Sequence, residues 1–469
     1  MQVGEPVAPT RDDPLVRASS EAVGGPAGRR IRTGASWWTP MRVALAVVIV
    51  VAGLGIMQRG ICRENAWASP VTGYAYSHMC YSDIPHMYRL RGFAEGKLPY
   101  VDEGNYEALE YPVLTGAIMA VTAELARTLS ADGPNQVNKE AVRFFDLNAW
   151  LMLLCAAVAV WATVLLAGRR PWDGVMVAAA PVIALSGTIN WDLAAVALLA
   201  LGMLAWSRYE PGLAGVLIGL AIATKLYPVL VLGPLFLLCL RVGKLREFTQ
   251  TAVAAALTWL VINVPVMVFG WTGWTRFWVF SEERGPDYGT PWLIISQARG
   301  WLDVQTLNRL VAVSLLLLCA GIAGLALFAP RRPRFAQLAF LVVVAFVLTI
   351  KVYSPQYALW LVPLAVLARP RWRDFLIWQA CEVVYWAGVW LYLLDTAGGK
   401  GLDERHYWIA IIAHLAGTAY LAGMVVRDIL RPQFDPVRAD GVDDDPSGGP
   451  LDGAPDRFGP TLARAGAAY

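Results

Sequence analysis

The chain has 469 residues, of which 57% are hydrophobic and only 16% charged, and its mean hydropathy is +0.48. This composition excludes an ordinary soluble domain and predicts a polytopic membrane protein. The formal net charge of +3 gives no case for nucleic acid as a partner.

Both ends of the chain are predicted to be disordered cytoplasmic tails. Residues 1–40 are rich in Pro, Gly, Ala and Arg and have no apolar period. Residues 431–469 carry aspartates among glycines and prolines, which indicates a solvated charge run rather than a site. Residues 41–430 between the tails are expected to form one transmembrane domain.

Apolar runs between residues 43 and 426 are long enough for about a dozen transmembrane helices, so the predicted fold class is all-α. Arginines precede the first run, and the positive-inside bias places its start in the cytoplasm. Basic clusters recur between alternate later runs, which marks the remaining connections as outward-facing. Two of these are long: a first loop over 58–110 and a second over 270–304.

This topology requires the run 213–240 to break at Lys225, where Pro228 removes a backbone donor. Crossings counted from the first run to Arg169 have the wrong parity. One run within 111–167, or one of the two short runs that follow, is therefore not a simple full crossing.

The six cysteines are too few and too scattered for a metal framework. Four lie in apolar runs, where a thiol is usually a small buried hydrophobe. Cys62 and Cys80 both fall in the first loop, where an oxidising exterior would allow a disulfide. Two free thiols are the alternative, and the sequence leaves both open.

The outward connections hold nearly all the ionisable groups at helix ends, which is typical of a site at one membrane face. In the first loop, the stretch 84–95 alternates apolar and basic residues as an interfacial helix does, and this helix would keep Asp83 near the headgroups. Lys225 is flanked by long apolar runs and is costly without an anionic partner, which a lipid phosphate would supply.

Five motifs together resemble glycosyltransferase family 87 of actinobacteria. They are Tyr-Ser-Asp-Ile (81–84), Glu-Tyr-Pro (110–112), Asn-Trp-Asp (190–192), Ala-Thr-Lys-Leu-Tyr-Pro (223–228) and Lys-Val-Tyr-Ser-Pro-Gln-Tyr (351–357). The resemblance runs from about residue 43 to 427 and implies a GT-C fold, a polyprenyl-phosphate sugar donor and an inverting displacement outside the cytoplasmic membrane. It also implies a catalytic aspartate in the first loop, which falls on Asp83. Ala108 stands where relatives often have a proline.

The chemistry assigns a role to each candidate. Asp83 would accept the proton of the attacking sugar hydroxyl, which is general-base catalysis worth about 10²- to 10⁴-fold. Fixed cations must stabilise the leaving phosphate, with Lys225 and Lys351 as first choices and Arg89 and Arg284 behind them. Sugar or acceptor contacts are expected from His86, Glu110, Asp192, Tyr227, Tyr353 and Gln356. The polyprenyl-phosphate sugar is a co-substrate, and no metal or other cofactor is expected.

Each role has a structural alternative. Asp83 and Asp192 could be helix N-caps, and Lys225 could extend to water. The tryptophans of the second long loop could be interface anchors rather than a sugar platform.

Mannose is the expected sugar and a lipid-linked or cell-envelope glycan the expected acceptor. An arabinofuranosyltransferase, a lipid or solute transporter and a non-enzymatic scaffold are the alternative functions. A transporter predicts ionisable groups near the membrane midplane and internal symmetry, whereas the charged motifs here cluster at one face.

Overall fold

The computed structural model describes residues 6–24, 37–102, 104, 106–130, 133–300, 302–439 and 441–457. Regular structure within them is almost entirely α-helical. The N-terminal helices are α1 (Pro9–Asp12), α2 (Pro14–Gly24), α3 (Pro40–Gln58), α4 (Gly60–Glu64), α5 (Tyr74–Ser77) and α6 (Asp83–Leu90). The middle helices are α7 (Val113–Thr128), α8 (Gln136–Leu166), α9 (Gly174–Ala178), α10 (Pro181–Ser186), α11 (Asp192–Ser207), α12 (Pro211–Thr224), α13 (Leu232–Val242) and α14 (Leu245–Phe269).

The C-terminal helices are α15 (Trp271–Glu283), α16 (Pro291–Arg299), α17 (Val304–Phe328), α18 (Phe335–Thr349), α19 (Ala358–Ala368), α20 (Trp372–Thr396) and α21 (Glu404–Leu430). Short 3₁₀ turns occur at Pro171–Asp173, Tyr227–Val231, Pro355–Tyr357, Pro432–Phe434 and Gly449–Leu451. Strand β1 (Asp287–Tyr288) pairs in parallel with β2 (Val352–Tyr353), with Asp287 opposite Val352. The second long loop therefore contains α15, β1 and α16.

Six helices within the described ranges, α3, α8, α14, α17, α20 and α21, are long and apolar enough to cross a membrane by length and composition. Five apolar helices of 10–17 residues accompany them. A 16-residue helix is about 24 Å long, short of the ~30 Å hydrocarbon core, so the predicted dozen full crossings stay a prediction.

The centre of the bundle is formed by α11, α18 and α19, whose residues are buried on nearly every side. A helix that is apolar all round is suited to such a central position as well as to lipid, and these three helices are packed on protein. By contrast, only 11% of the apolar window is buried in both α14 and α17. Their outer faces are therefore suited to lipid.

Proline decides where two predicted runs break. The run 213–240 breaks at Lys225 as predicted, because α12 ends at Thr224 and a 3₁₀ turn containing Pro228 precedes α13. The run 175–189 is also interrupted, since α9 ends at Ala178 and α10 begins at Pro181. Proline favours a new first turn and cannot continue the preceding hydrogen-bond ladder.

The predicted disorder of the N-terminal tail is wrong for residues 9–24, which form α1 and α2. Asp12 lies 2.7 Å from the Arg170 guanidinium. Asp13 accepts a 3.0 Å hydrogen bond from the backbone N–H of Trp372. These acids hold the segment against basic connections between helices. Residues 1–5 and 25–36 lie outside the described residues.

The C-terminal prediction is also wrong for residues 432–457, which form a strap against the basic helix ends. Asp435 pairs with Arg334 at 2.8 Å, and Asp456 pairs with Arg241 at the same distance. Asp445 accepts a 2.7 Å hydrogen bond from the backbone N–H of Phe335. The aspartates that indicated solvation are instead counter-ions of the basic clusters. Asp440 and residues 458–469 lie outside the described residues.

We expect Asp435→Ala to lower the stability of the protein markedly. The Arg334 and Asp435 side chains are 2% and 1% exposed, and the substitution would leave the buried guanidinium without its counter-ion. Breaking such a pair costs about 3–5 kcal/mol. Thermal unfolding in detergent micelles should show a clearly lower midpoint. Glu124→Ala is the control, because Glu124 pairs with Arg127 on the surface and is 60% exposed. Equal midpoints for the two variants would contradict a structural role for the strap.

Candidate functional site

The start of α6 is fixed by hydrogen bonds that leave the Asp83 carboxylate free of a capping role. Ser82 is the N-cap, and its hydroxyl accepts from the N–H of Ile84 at 3.3 Å. The same hydroxyl donates to the carbonyl of Thr188 at 2.7 Å. The N–H of Asp83 donates to the carbonyl of Ile189 at 2.8 Å. The first loop is thus docked on the connection that precedes α11.

A disulfide closes the base of this loop. Cys62 and Cys80 are joined, with their Cα atoms 5.8 Å apart, so the structure contains the first of the two alternatives that the sequence left open. The indole N–H of Trp67 donates to the carbonyl of Cys80 at 2.9 Å. The segment that leads to Asp83 is therefore held covalently to α4, the short helix that follows α3.

A buried ion pair forms the second part of the site. The ammonium of Lys225 lies 2.9 Å from Asp192, and the two side chains are 17% and 1% exposed. The indole N–H of Trp360 donates to the other oxygen of Asp192 at 2.9 Å. Asp192 therefore anchors Lys225 and is not an N-cap, since Trp191 takes that position. The Lys225 side chain turns into the protein rather than out to water.

Aromatic rings surround the Lys225 ammonium. Its nitrogen lies 5.2 Å from the ring centroid of Tyr111, 5.5 Å from that of Tyr357 and 5.8 Å from that of Trp360. Cations at this distance are attracted to aromatic rings. Tyr111 also reaches the first loop, because its hydroxyl donates to the Asp83 carboxylate at 3.4 Å. Asp83 and Lys225 therefore converge on one tyrosine.

The surroundings of Asp83 change its basicity. Burial raises the pKa of the Asp83 carboxyl to about 6, and the charges of Glu110 and Asp192 add to the rise. Tyr81 and Lys225 act in the opposite direction. A carboxylate with this pKa is mostly ionised at pH 7 and is a stronger base than an ordinary aspartate.

Two further predicted residues lie beside the cluster with unused polar atoms. The ring of Tyr227 stacks on Trp360 with centroids 4.5 Å apart, and its buried hydroxyl has no hydrogen-bond partner within the described part of the chain. Gln356, next to Tyr357, is 6% exposed, and its side-chain carbonyl also has none there. Buried polar atoms are usually paired, so these two are candidates to contact a substrate.

Arg284, His86 and Glu110 border the site. Arg284 pairs with Asp287 at 3.1 Å, and its guanidinium lies 5.6 Å from the ring centroid of Tyr288, a residue that also interacts with Asp83. Strand β1 holds this segment against β2. Glu110 is engaged by Arg91, which donates to both carboxylate oxygens at 2.8 and 2.9 Å.

His86 is unsuited to bind an anion. Its ring stacks on Tyr81 with centroids 5.4 Å apart. Burial, assisted by the charge of Arg89, lowers the pKa of the His86 imidazole to about 4. The imidazole is therefore neutral at pH 7.

The structure does not bring Arg89, Lys351 and Tyr353 to Asp83. Arg89 lies on another face of α6 and donates to the carbonyl of Ala66 and to Asn138. Lys351 donates to the carbonyl of Glu282 at 2.8 Å and to Asn308 at 2.6 Å. The Tyr353 hydroxyl donates to Glu382 at 3.0 Å. These side chains are engaged by residues distant in the sequence, and a short motif does not reveal such contacts.

The tryptophans of α15 also lie apart from Asp83. Trp274 donates its indole N–H to Asn263 at 3.0 Å, and Trp271 is 60% exposed. Trp274 and Trp278 help line a narrow cleft whose apolar wall includes Val113, Ile222 and Leu226. Tyr111 lines the same cleft, so this apolar space adjoins the site at that residue.

Sequence reasoning missed several residues of the site. Tyr111 and Tyr357 stand in the quoted motifs, but they were given no role. Trp360 lies within an apolar run, where an aromatic residue is normally core. Only their contacts in the folded chain distinguish them.

Comparisons with known proteins bear on the bundle that holds Lys225 and Asp192. A family model, that of glycosyltransferase family 87, matches residues 111–350. Asp83 precedes the matched region. A comparison with curated proteins gives no match. Because the match extends over more than half of the sequence, the chain belongs to glycosyltransferase family 87 and is a glycosyltransferase of the membrane-protein class.

Proposed function

We propose that the protein transfers a sugar, mannose, with inversion from a polyprenyl-phosphate donor to a lipid-linked or cell-envelope glycan on the outer face of the cytoplasmic membrane. The observation that carries the proposal is the convergence of a basic carboxylate, Asp83, and a fixed ammonium, Lys225, on Tyr111. A base and a cation close together are what displacement of a phosphate by a hydroxyl requires.

Asp83 is the general base in this reaction. An acceptor hydroxyl hydrogen-bonds to the carboxylate and attacks the anomeric carbon of the donor sugar. Its proton passes to Asp83 as the new carbon–oxygen bond forms. The bond between the anomeric carbon and the phosphate oxygen breaks, and its electron pair leaves with the polyprenyl phosphate. A single displacement of this kind inverts the anomeric configuration.

Lys225 stabilises the charge that develops on the leaving phosphate. Asp192 occupies one side of the ammonium, and the remaining N–H donors of Lys225 are available to phosphate oxygens. Arg284 at the edge of the site is the second cation, with a side chain that is 30% exposed. We assign Lys351 a structural role instead, because its hydrogen bonds to Glu282 and Asn308 hold the end of α15 near α17.

The lipid part of the donor has a suitable surface beside this centre. The apolar cleft next to Tyr111 is lined by aromatic and aliphatic side chains, as pockets for apolar ligands are. The disulfide between Cys62 and Cys80 supports an outward-facing first loop, since disulfides persist in oxidising compartments.

The proposal is tested with purified protein in lipid nanodiscs and radiolabelled donors. Polyprenyl-phosphate mannose and polyprenyl-phosphate arabinofuranose are supplied separately, with envelope glycolipids as acceptors. We expect label to move from the mannose donor into glycolipid, with inverted anomeric configuration by NMR. If label is transferred from the arabinofuranose donor and not from the mannose donor, the sugar that the protein transfers is arabinofuranose. Movement of intact donor across proteoliposome membranes without transfer would overturn the enzymatic proposal in favour of a transporter.

A further inference from the structure

Three aromatic side chains form a shelf next to the proposed base. Tyr81 stands two residues before Asp83, and its ring centroid lies 5.3 Å from that of Trp390 on α20 and 5.6 Å from that of Tyr76. Tyr76 and Trp390 are nearly parallel, with an interplanar angle of 10° and centroids 6.1 Å apart. Tyr76, Tyr81 and Trp390 are called the aromatic shelf below.

Trp390 carries a polar atom that the fold leaves unused. The residue is 3% exposed, and its indole N–H has no hydrogen-bond partner among the residues described. Trp386, one turn earlier on the same helix, donates its indole N–H to the carbonyl of Leu185 at 3.0 Å. Leaving a buried donor without an acceptor is costly, and a ligand hydroxyl would remove that cost.

The aromatic shelf and the Lys225 cluster reach Asp83 through different neighbours. Tyr81 connects the shelf to the carboxylate, and Tyr76 also interacts with it. Lys225, by contrast, is connected to the Asp83 carboxylate through Tyr111. The ring stacked on Tyr81 from the first loop is His86, which is neutral at pH 7. The shelf therefore combines the partly exposed rings of Tyr76 and Tyr81 with an unpaired hydrogen-bond donor on Trp390. The side chain that stacks on it from outside, His86, carries no charge for a phosphate.

We propose that the aromatic shelf binds the acceptor sugar ring, with the Trp390 N–H donating to one of its hydroxyls. This inference rests on the proposed function. The acceptor is the substrate whose hydroxyl must contact the base. Tyr81 belongs to the same short segment as Asp83, so the shelf lies next to the point of that contact. The C–H groups on one face of a pyranose or furanose ring pack on aromatic faces, and the uncharged ring needs no counter-ion.

The test separates the aromatic face from the N–H. Trp390→Phe keeps a ring and loses the donor, and we expect it to raise the acceptor KM about tenfold, as loss of one hydrogen bond does. Trp390→Leu removes the face as well and should raise the acceptor KM further. The donor KM should stay unchanged in both variants. Trp386→Phe is the matched control, because its N–H is already engaged within the protein.

Three results of this kinetic test would overturn the proposal. The first is an acceptor KM that neither Trp390 variant changes. The second is an increase in donor KM, which would mean that the shelf binds the donor. The third is an acceptor KM that Trp386→Phe raises as much as Trp390→Phe does, which would mean that Trp390 only supports packing.

Binding is also measured without turnover, so that failure of the proposed function is recognised separately. Saturation-transfer NMR would use methyl α-mannopyranoside, methyl α-glucopyranoside and methyl α-arabinofuranoside with nanodisc-embedded protein. We expect at least one glycoside to receive saturation from the wild type and less from Trp390→Leu of unchanged thermal midpoint. Equal saturation with both proteins, or none with the wild type, would exclude the sugar subsite even if transfer occurs. Saturation that depends on Trp390 would retain the subsite even if neither donor is used.

Discussion

Asp83→Asn is expected to abolish sugar transfer while donor binding is retained. The amide has the size of the carboxylate but cannot accept the proton of the attacking hydroxyl, and general-base catalysis is worth about 10²- to 10⁴-fold. Single-turnover transfer from radiolabelled donor measures the chemical step, and equilibrium binding of the same donor measures affinity. Asp102→Asn is the matched control in the same loop, because the Asp102 carboxylate accepts a hydrogen bond from the backbone N–H of Leu98, which an amide oxygen also accepts.

The pH dependence of transfer gives a second measurement of the same role. The base acts only when ionised, so the rate should fall as the pH drops below the pKa of Asp83, which burial raises to about 6. An ordinary aspartate would place this fall near pH 4. The residual activity of Asp83→Asn should lack the acidic limb. Transfer by Asp83→Asn within about tenfold of wild type would assign the base to another residue.

Lys225→Met is expected to damage both stability and donor use. The substitution leaves the Asp192 carboxylate, which is 1% exposed, without its cation. An uncompensated buried charge of this kind costs about 3–5 kcal/mol, which should appear as a lower thermal midpoint. Loss of the ammonium should also raise the donor KM and lower kcat, since the leaving phosphate loses its nearest fixed cation.

A double variant separates these two effects. In Lys225→Met with Asp192→Leu both charges are removed, and replacing a buried ion pair by apolar side chains is often nearly neutral for stability. We expect the thermal midpoint to recover and transfer to stay low. Transfer that recovers together with the midpoint would mean that the pair only supports the fold and that another cation meets the phosphate.

The sequence predicted the features of the fold that depend on local chemistry. Helices lie where the apolar runs are, because a membrane-length apolar segment has few other ways to satisfy its backbone. The break at Lys225 was predictable since a charge and Pro228 stand together. The same local reasoning identified Asp83, Lys225 and Asp192 as polar residues at helix ends.

Contacts between distant parts of the chain could not be predicted. The motifs around Asp192 and Lys225 gave no sign that the two residues pair with each other. Nothing in the sequence indicated that Trp390 packs against Tyr81 of the first loop. The two-residue pairing of β1 with β2 is too short to leave an alternating pattern. The C-terminal strap was predicted to be a disordered tail because burying aspartates is costly unless each has a cationic partner. Composition does not show that such partners exist.

The strap has a consequence for how this protein is made. Arg241, Arg334 and Trp206 contact Asp456, Asp435 and the carbonyl of Gly448 in the strap. These strap residues leave the ribosome after every helix they brace. Helices delivered to the bilayer one at a time would stay loosely arranged until translation has passed residue 456. Quality control that acts on nascent membrane chains would then see a premature stop after α21 as an unfinished assembly, although every hydrophobic segment is present.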